Sequence, residues 1–296
     1  MTYARPEVAG DLDTLPRMPS WITSGRPETP DDVAFRSGAA LSHLHLVLCR
    51  DEVPQALLRA RLALRAAEVC VTHRGRPERA ADLRDAVAFL QPGDRPGPAG
   101  EMYLSWRRAV ERPVSVKALT RALPEIDAEQ IALWLDAGQG APVSRAATVL
   151  QAVLGDRPRD PATALILAEA ALAHALGWRH LVPLLALGLK RGDVRKTGAE
   201  LRLACHRATL AAAAEAARKA TDLTRRTARL QTVAPKLRAK GADEAVALFL
   251  SRDAVAPTAL ASLRSDRAAR RFCDRLVELG AVRELTGRES FRLYGV

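Results

Sequence analysis

Residues 265–286 read SDRAARRFCDRLVELGAVRELT, and residues 291–295 read FRLYG. Ser265-Asp266 can cap a helix from Arg267 to Leu279, with Ala269, Phe272, Leu276 and Leu279 on its inner side at successive spacings of three, four and three. Gly280 supplies the left-handed stop. After it the period shortens to two, so 281–286 and 291–294 read as short strands joined by 287–290. Phe291 and Leu293 are expected on one side of the second strand, Arg292 and Tyr294 on the other. Upstream, Ala242–Ser251 has the apolar density of a first short helix, and Asp253–Ser262, with Pro257, reads as a second. Three helices followed by a hairpin predict a winged helix-turn-helix, a module whose third helix commonly enters the DNA major groove.

On that geometry Arg267, Arg270, Arg271 and Arg275 occupy the polar side of the third helix. Arg288 lies at the hairpin tip and Arg292 on its second strand. A guanidinium can pair in bidentate fashion with guanine or meet phosphate as a fork, so these six are the candidate DNA-binding residues. The bland alternative is pairing with Asp266, Asp274, Glu278 and Glu284, and the near-neutral charge of 241–296 gives it weight.

The charge of the whole chain is +11, unevenly distributed. Residues 1–189 balance, 190–240 carry 14 basic and 4 acidic side chains for a net of +10, and 241–296 are near neutral at +1. A concentrated basic block can recruit phosphate backbones through counterion release. Arg218, Lys219, Arg225, Arg226, Lys236, Arg238 and Lys240 are therefore candidate backbone contacts beside the reading helix. A solvated helix face explains the same charges.

The rest of the chain reads as all-helical. Only 4 % of residues are aromatic, hydrophobic residues make up 48 %, and Ala and Leu, which lose little on entering a helix, dominate. Residues 1–30 form an extended, proline-rich arm with Trp21 and Ile22 as anchors. A helix capped by Asp31 or Asp32 runs to Cys49, apolar enough (Val33, Phe35, Leu41, Leu44, Leu46) to be buried all round. Others follow Pro54 and span 76–90, 101–111, 114–122, 127–137, 142–154, 161–177 and 181–190. The longest, 197–232, should reach about 50 Å. The expected fold class is mainly α: an arm (1–30), a helical domain (31–240) and the winged helix (241–296).

Several functions are disfavoured. Charge or His interrupts every apolar run before the roughly 20 residues a bilayer needs, and the first residues lack a signal pattern, so a cytoplasmic protein is expected. Cys49, Cys70, Cys205 and Cys273 are scattered and read as small buried hydrophobes. His45 and Cys49 share a helix face, but no complement makes up a zinc set, and His174 and His180 flank Gly177-Trp178 without one. Nucleotide-binding and hydrolase signatures are lacking, so neither catalytic residues nor cofactor or metal are assigned.

Ser265–Arg271, Leu279–Arg288 and Phe291–Gly295 resemble the C-terminus of a bacterial family known as domain of unknown function fourteen-oh-three. Similar stretches are Phe35–Leu41, Gly177-Trp178 and Val233–Gly241, so the resemblance covers most of the chain. It implies a bacterial, often plasmid-linked, cytoplasmic protein and no particular reaction. The ending is also similar to the helix-turn-helix of another plasmid-associated family and to the winged helix behind some Fic-type proteins. Residues 177–183 sit in a broadly similar helical setting to the HPFxxGNGR-like loop of Fic transferases, without its glycines or acid. The expected function is double-stranded DNA binding as a transcriptional or plasmid-maintenance regulator, with a body that serves homodimerisation or a ligand. Alternatives are a non-enzymatic interaction protein and, more distantly, a degenerate Fic-like nucleotide transferase.

Overall fold

The computed structural model describes residues 15–25, 29–91, 93–286 and 291–296. Among them the chain is mainly helical, with two short strands near its end. A short helix α1 (Ser20–Thr23) places Ile22 in the core, and α2 (Pro30–Leu48) follows. Thr29 caps α2. Its Oγ1 accepts the Asp32 N–H at 3.1 Å, and the Asp32 carboxylate accepts the Thr29 N–H at 3.0 Å. The cap expected at Asp31 or Asp32 thus lies slightly upstream, because Pro30 suits a first turn that needs no N–H. Burial all round is corrected too. Val33, Ser37, Ala40, Leu44 and Val47 form one inner stripe, whereas Phe35 is 68 % and Leu46 59 % exposed. Phe35 stacks on Trp21, ring centroids 5.8 Å apart, which fastens the arm at the surface.

Helices α3 (Gln55–His73), α4 (Ala80–Ala88), α5 (Gly97–Glu111), α6 (Val116–Ala122), α7 (Ala128–Asp136) and α8 (Pro142–Asp156) begin and end within a few residues of expectation. Pro54 precedes α3 as its cap instead of entering the first turn. Helix α9 (Pro161–Ala175), capped by Asp160, buries every residue from Ala162 to Ala173 and packs against α8. A helix apolar on all sides belongs at the centre of a layered helical body.

One ionisable side chain sits inside that central helix. The Glu169 carboxylate accepts the N–H groups of Leu184 and Ala186 at 2.7 and 3.0 Å, satisfying the start of the four-residue helix α10 (Leu185–Gly188). The helix expected over 181–190 is shortened to this single turn. Glycine is needed at its end: a Cβ on Gly188 would lie 2.5 Å from the Ala208 backbone of the neighbouring helix. Burial pushes the Glu169 carboxyl up to about 8, despite the opposing backbone hydrogen bonds. The folded chain therefore holds a proton that the unfolded chain, with its carboxyl near 4.5, releases. The contribution of this one group to stability is fully present below that lower value and is lost as pH rises towards 8, by on the order of 4 kcal/mol for a shift of this size. Urea unfolding across pH 5–8 measures the slope, and Glu169→Gln, which keeps the acceptor without the charge, should flatten it.

Helix α11 (Gly198–Val233) is continuous over 36 residues, about 54 Å at the usual rise. Ala204, Ala208, Ala212, Ala216 and Ala220 recur at intervals of four on its buried side, and the small side chains let it approach its neighbours closely. It packs on α2, α8 and α10.

The C-terminal elements follow: α12 (Ala242–Ser251), α13 (Asp266–Glu278), β1 (Arg283–Glu284) and β2 (Tyr294–Gly295). Gly241 starts α12 at φ +86°, with the Ser262 carbonyl where a Cβ would stand. The helix expected over 253–262 is instead a single 3-10 turn, Pro257–Ala259. Its start is spent on pairing. Val255 N–H donates to Tyr294 O at 2.8 Å, and Tyr294 N–H to Val255 O at 2.9 Å. Tyr294 also faces Glu284 of β1, so it is the middle rung between residues 255 and 284. That position buries both Leu293 and Tyr294 and replaces the alternation expected over 291–294, with Phe291 exposed at φ +55°. The buried apolar cluster runs from Leu15 to Val296, joining these elements to the helical body.

Candidate nucleic-acid interface

Helix α13 is well started and well stopped. Ser265 Oγ accepts the Ala268 N–H at 3.2 Å, and Gly280 turns away at φ +62°. Ala269, Phe272, Cys273 and Leu276 form its buried face. Leu279 is only half-buried, and Cys273 takes the inner place expected for it. Arg267, Arg270, Arg271 and Arg275 are all exposed. Arg275 Nη1 donates to Glu278 Oε2 at 2.8 Å, in a surface pair that holds it only weakly. No carboxylate pairs with Arg267, Arg270 or Arg271 among the described residues. Arg264, exposed just before the cap, joins them and was not anticipated, because it precedes the periodic segment.

The opposite side of this region is bolted to the body by residues far away in sequence. Asp253 is 4 % exposed at its side chain and lies between two guanidinium groups. Arg61 Nε approaches its Oδ1 to 2.6 Å, an ion pair not aligned as a hydrogen bond, and Arg84 Nε donates to Oδ2. Arg61 Nη2 also donates to the main-chain oxygen of Val296 at 2.9 Å. From α11, Arg229 Nη2 donates to the Leu279 carbonyl at 3.1 Å, placing a cation at the negative end of α13. Its guanidinium fills the space where a side chain on Gly280 would begin. Phe291 meets Phe89 edge-on, centroids 5.5 Å apart.

The basic segment is partly spent. Arg225 and Arg226 both pair with Asp222, at 2.9 and 3.0 Å. Arg218, Lys219, Lys236, Arg238 and Lys240 are exposed. Arg218, Asp222, Arg225 and Arg229 share one side of α11 by helical spacing, and Arg229 ends that row at α13. Arg292 lies 3.7 Å from Glu284, and the Tyr294 phenol and Glu284 push its guanidinium further above its already high value. Arg288 lies outside the described residues.

The histidines gather differently from expectation. Trp178 Nε1–H donates to His45 Nδ1 at 2.9 Å, which puts the proton of a neutral His45 ring on Nε2, 3.6 Å from Cys49 Sγ. His45, Cys49, Trp178, His180 and Arg59 line a cleft of about 220 Å³, while His174 is exposed elsewhere. Burial, and then Arg59 and Arg179, pull the His180 imidazole down to about 4. Cys70, Cys205 and Cys273 are buried, their thiols pushed up to about 12 by desolvation, whereas Cys49 is exposed. Among the described residues no three His, Cys, Asp or Glu side chains are placed to hold a metal ion, and no helix is long and apolar enough to cross a membrane.

These features define a mainly helical protein with an exposed arginine row on its last helix. The chain belongs to the family described as protein of unknown function DUF1403, whose model matches residues 6–296. No curated protein matches it.

Proposed function

We propose that residues 241–296 form a winged helix-turn-helix, borne by a helical domain of residues 31–240, and that the protein binds double-stranded DNA through it as a transcriptional or plasmid-maintenance regulator. One observation carries this reading: Arg267, Arg270 and Arg271 stand on the exposed side of a capped helix without a carboxylate partner among the described residues. The order of elements supports it. Helix α12, the rung at Val255, the 3-10 turn, α13, β1 and β2 follow the order of a winged helix whose second helix is reduced to one turn.

In that arrangement α13 enters the major groove, and its arginines reach base edges or phosphates. Arg218, Lys219, Lys236, Arg238 and Lys240 contact backbone without reading sequence. Arg225 and Arg226 contribute less, because Asp222 already neutralises part of their charge. The balanced charge of 241–296 favours a second reading, in which the same helix docks on a protein.

Fluorescence anisotropy of the full chain on a labelled random-sequence duplex separates the two. Between about 50 and 200 mM salt, five or so phosphate contacts should give a log–log slope of about −4 to −5. A flat salt dependence, or no binding at low salt, sinks the DNA reading.

A further inference from the structure

Between the helical body and the C-terminal elements lies a cleft of about 410 Å³, within the size range of small-molecule sites. Helices α3, α4 and α5 form one side, and the turn after α12 forms the other. Val87 and Val110, with several alanines, give it an apolar wall.

Its charge is unbalanced. Arg84 and Asp253 also line it, but they already pair with each other. Arg107 and Arg252 are exposed and have no carboxylate partner among the described residues; the exposed Glu111 is the other acid in the lining. Arg59 donates its Nε–H to the Val110 carbonyl at 3.1 Å and is otherwise a half-buried cation without a counter-ion among the described residues.

The phenol of Tyr103 brings a further donor to the same cleft. Tyr103 is only 5 % exposed and lines the cleft, yet its hydroxyl has no hydrogen-bond partner among the described residues. The hydroxyl is not among the fully enclosed unpartnered atoms of the chain, so it opens on the cleft and can donate into it. Burial also pushes this phenol up to about 12, so it remains a donor at neutral pH.

We propose that this cleft binds a small organic anion, its carboxylate or phosphoryl head held by Tyr103, Arg107 and Arg252 and its apolar body resting on Val87 and Val110. Two guanidinium groups and a phenol lining one cleft supply donors for the several acceptor oxygens of such a head group. The site does not depend on whether α13 meets DNA.

The probe is 8-anilinonaphthalene-1-sulfonate, an apolar anion whose fluorescence rises on binding, titrated into the full chain without DNA. Saturable binding at one site is expected. Combining Arg107→Ala and Arg252→Ala should weaken it at least about tenfold, and Tyr103→Phe several-fold, with circular dichroism unchanged. Competition with benzoate and phenyl phosphate then identifies the head group: displacement by either supports the site, and the stronger competitor names the chemistry. Absence of saturable binding, equal affinity in the variants, or displacement by neither competitor overturns the proposal.

Discussion

Replacing Asp253 by alanine should lower the unfolding free energy by about 3–5 kcal/mol, a large share of the stability of an ordinary domain. The size follows from what is left behind. Arg61 and Arg84 have side chains only 10 % and 15 % exposed, and both turn their guanidinium groups to this one carboxylate. Without it, two neighbouring cations remain desolvated and repel each other. Removing one partner of a buried ion pair is much more damaging than replacing the whole group by apolar residues of similar volume. The triple change Arg61→Met, Arg84→Met and Asp253→Leu should therefore recover much of the loss. Urea denaturation of the three proteins checks both statements. A cost below about 1 kcal/mol for Asp253→Ala would mean that the clamp contributes no more than a surface pair.

Combining Arg267→Ala, Arg270→Ala and Arg271→Ala should weaken duplex binding by at least about a hundredfold. Each arginine contact to a base edge is worth about 1–3 kcal/mol, so even three at the lower bound reach that factor. The fold should hardly notice. All three side chains are exposed and unpaired among the described residues, and surface changes of this kind usually alter stability by less than about 0.5 kcal/mol each. Thermal melting should thus be nearly unchanged while affinity collapses. That separation would not follow if the arginines served to hold α13 in place.

The periodic parts of the structure were legible in the amino-acid order. Ala242–Ser251 matches α12 residue for residue, and Ser265 caps the helix it was expected to cap. These signals are local, a donor or acceptor beside its own first turn. The departures come from contacts between distant positions. Residues 253–262 have a plausible helical composition, but the pairing of Val255 with Tyr294 claims the start of the segment. Phe35 reads as core by polarity and instead stands exposed at the surface, stacked on Trp21.

The same division runs through the candidate site. The arginine face of α13 follows from spacing alone. The clamp on Asp253 needs Arg61 and Arg84, well over a hundred residues away, and neither carried a local mark. Arg229 capping α13 across 50 positions left a trace only in the glycine at 280, which the sequence explains equally well as a helix stop. The cleft beside Tyr103 draws on three helices and a turn, so no single stretch could reveal it.

The most direct measurement is a pair of anisotropy isotherms, the unaltered chain and the Arg267, Arg270 and Arg271 triple variant, on one duplex at one moderate salt concentration. A displacement of about two decades or more, with matching melting curves, is the outcome expected if α13 lies in the groove. Superimposable isotherms would show that those guanidinium groups never touch nucleic acid.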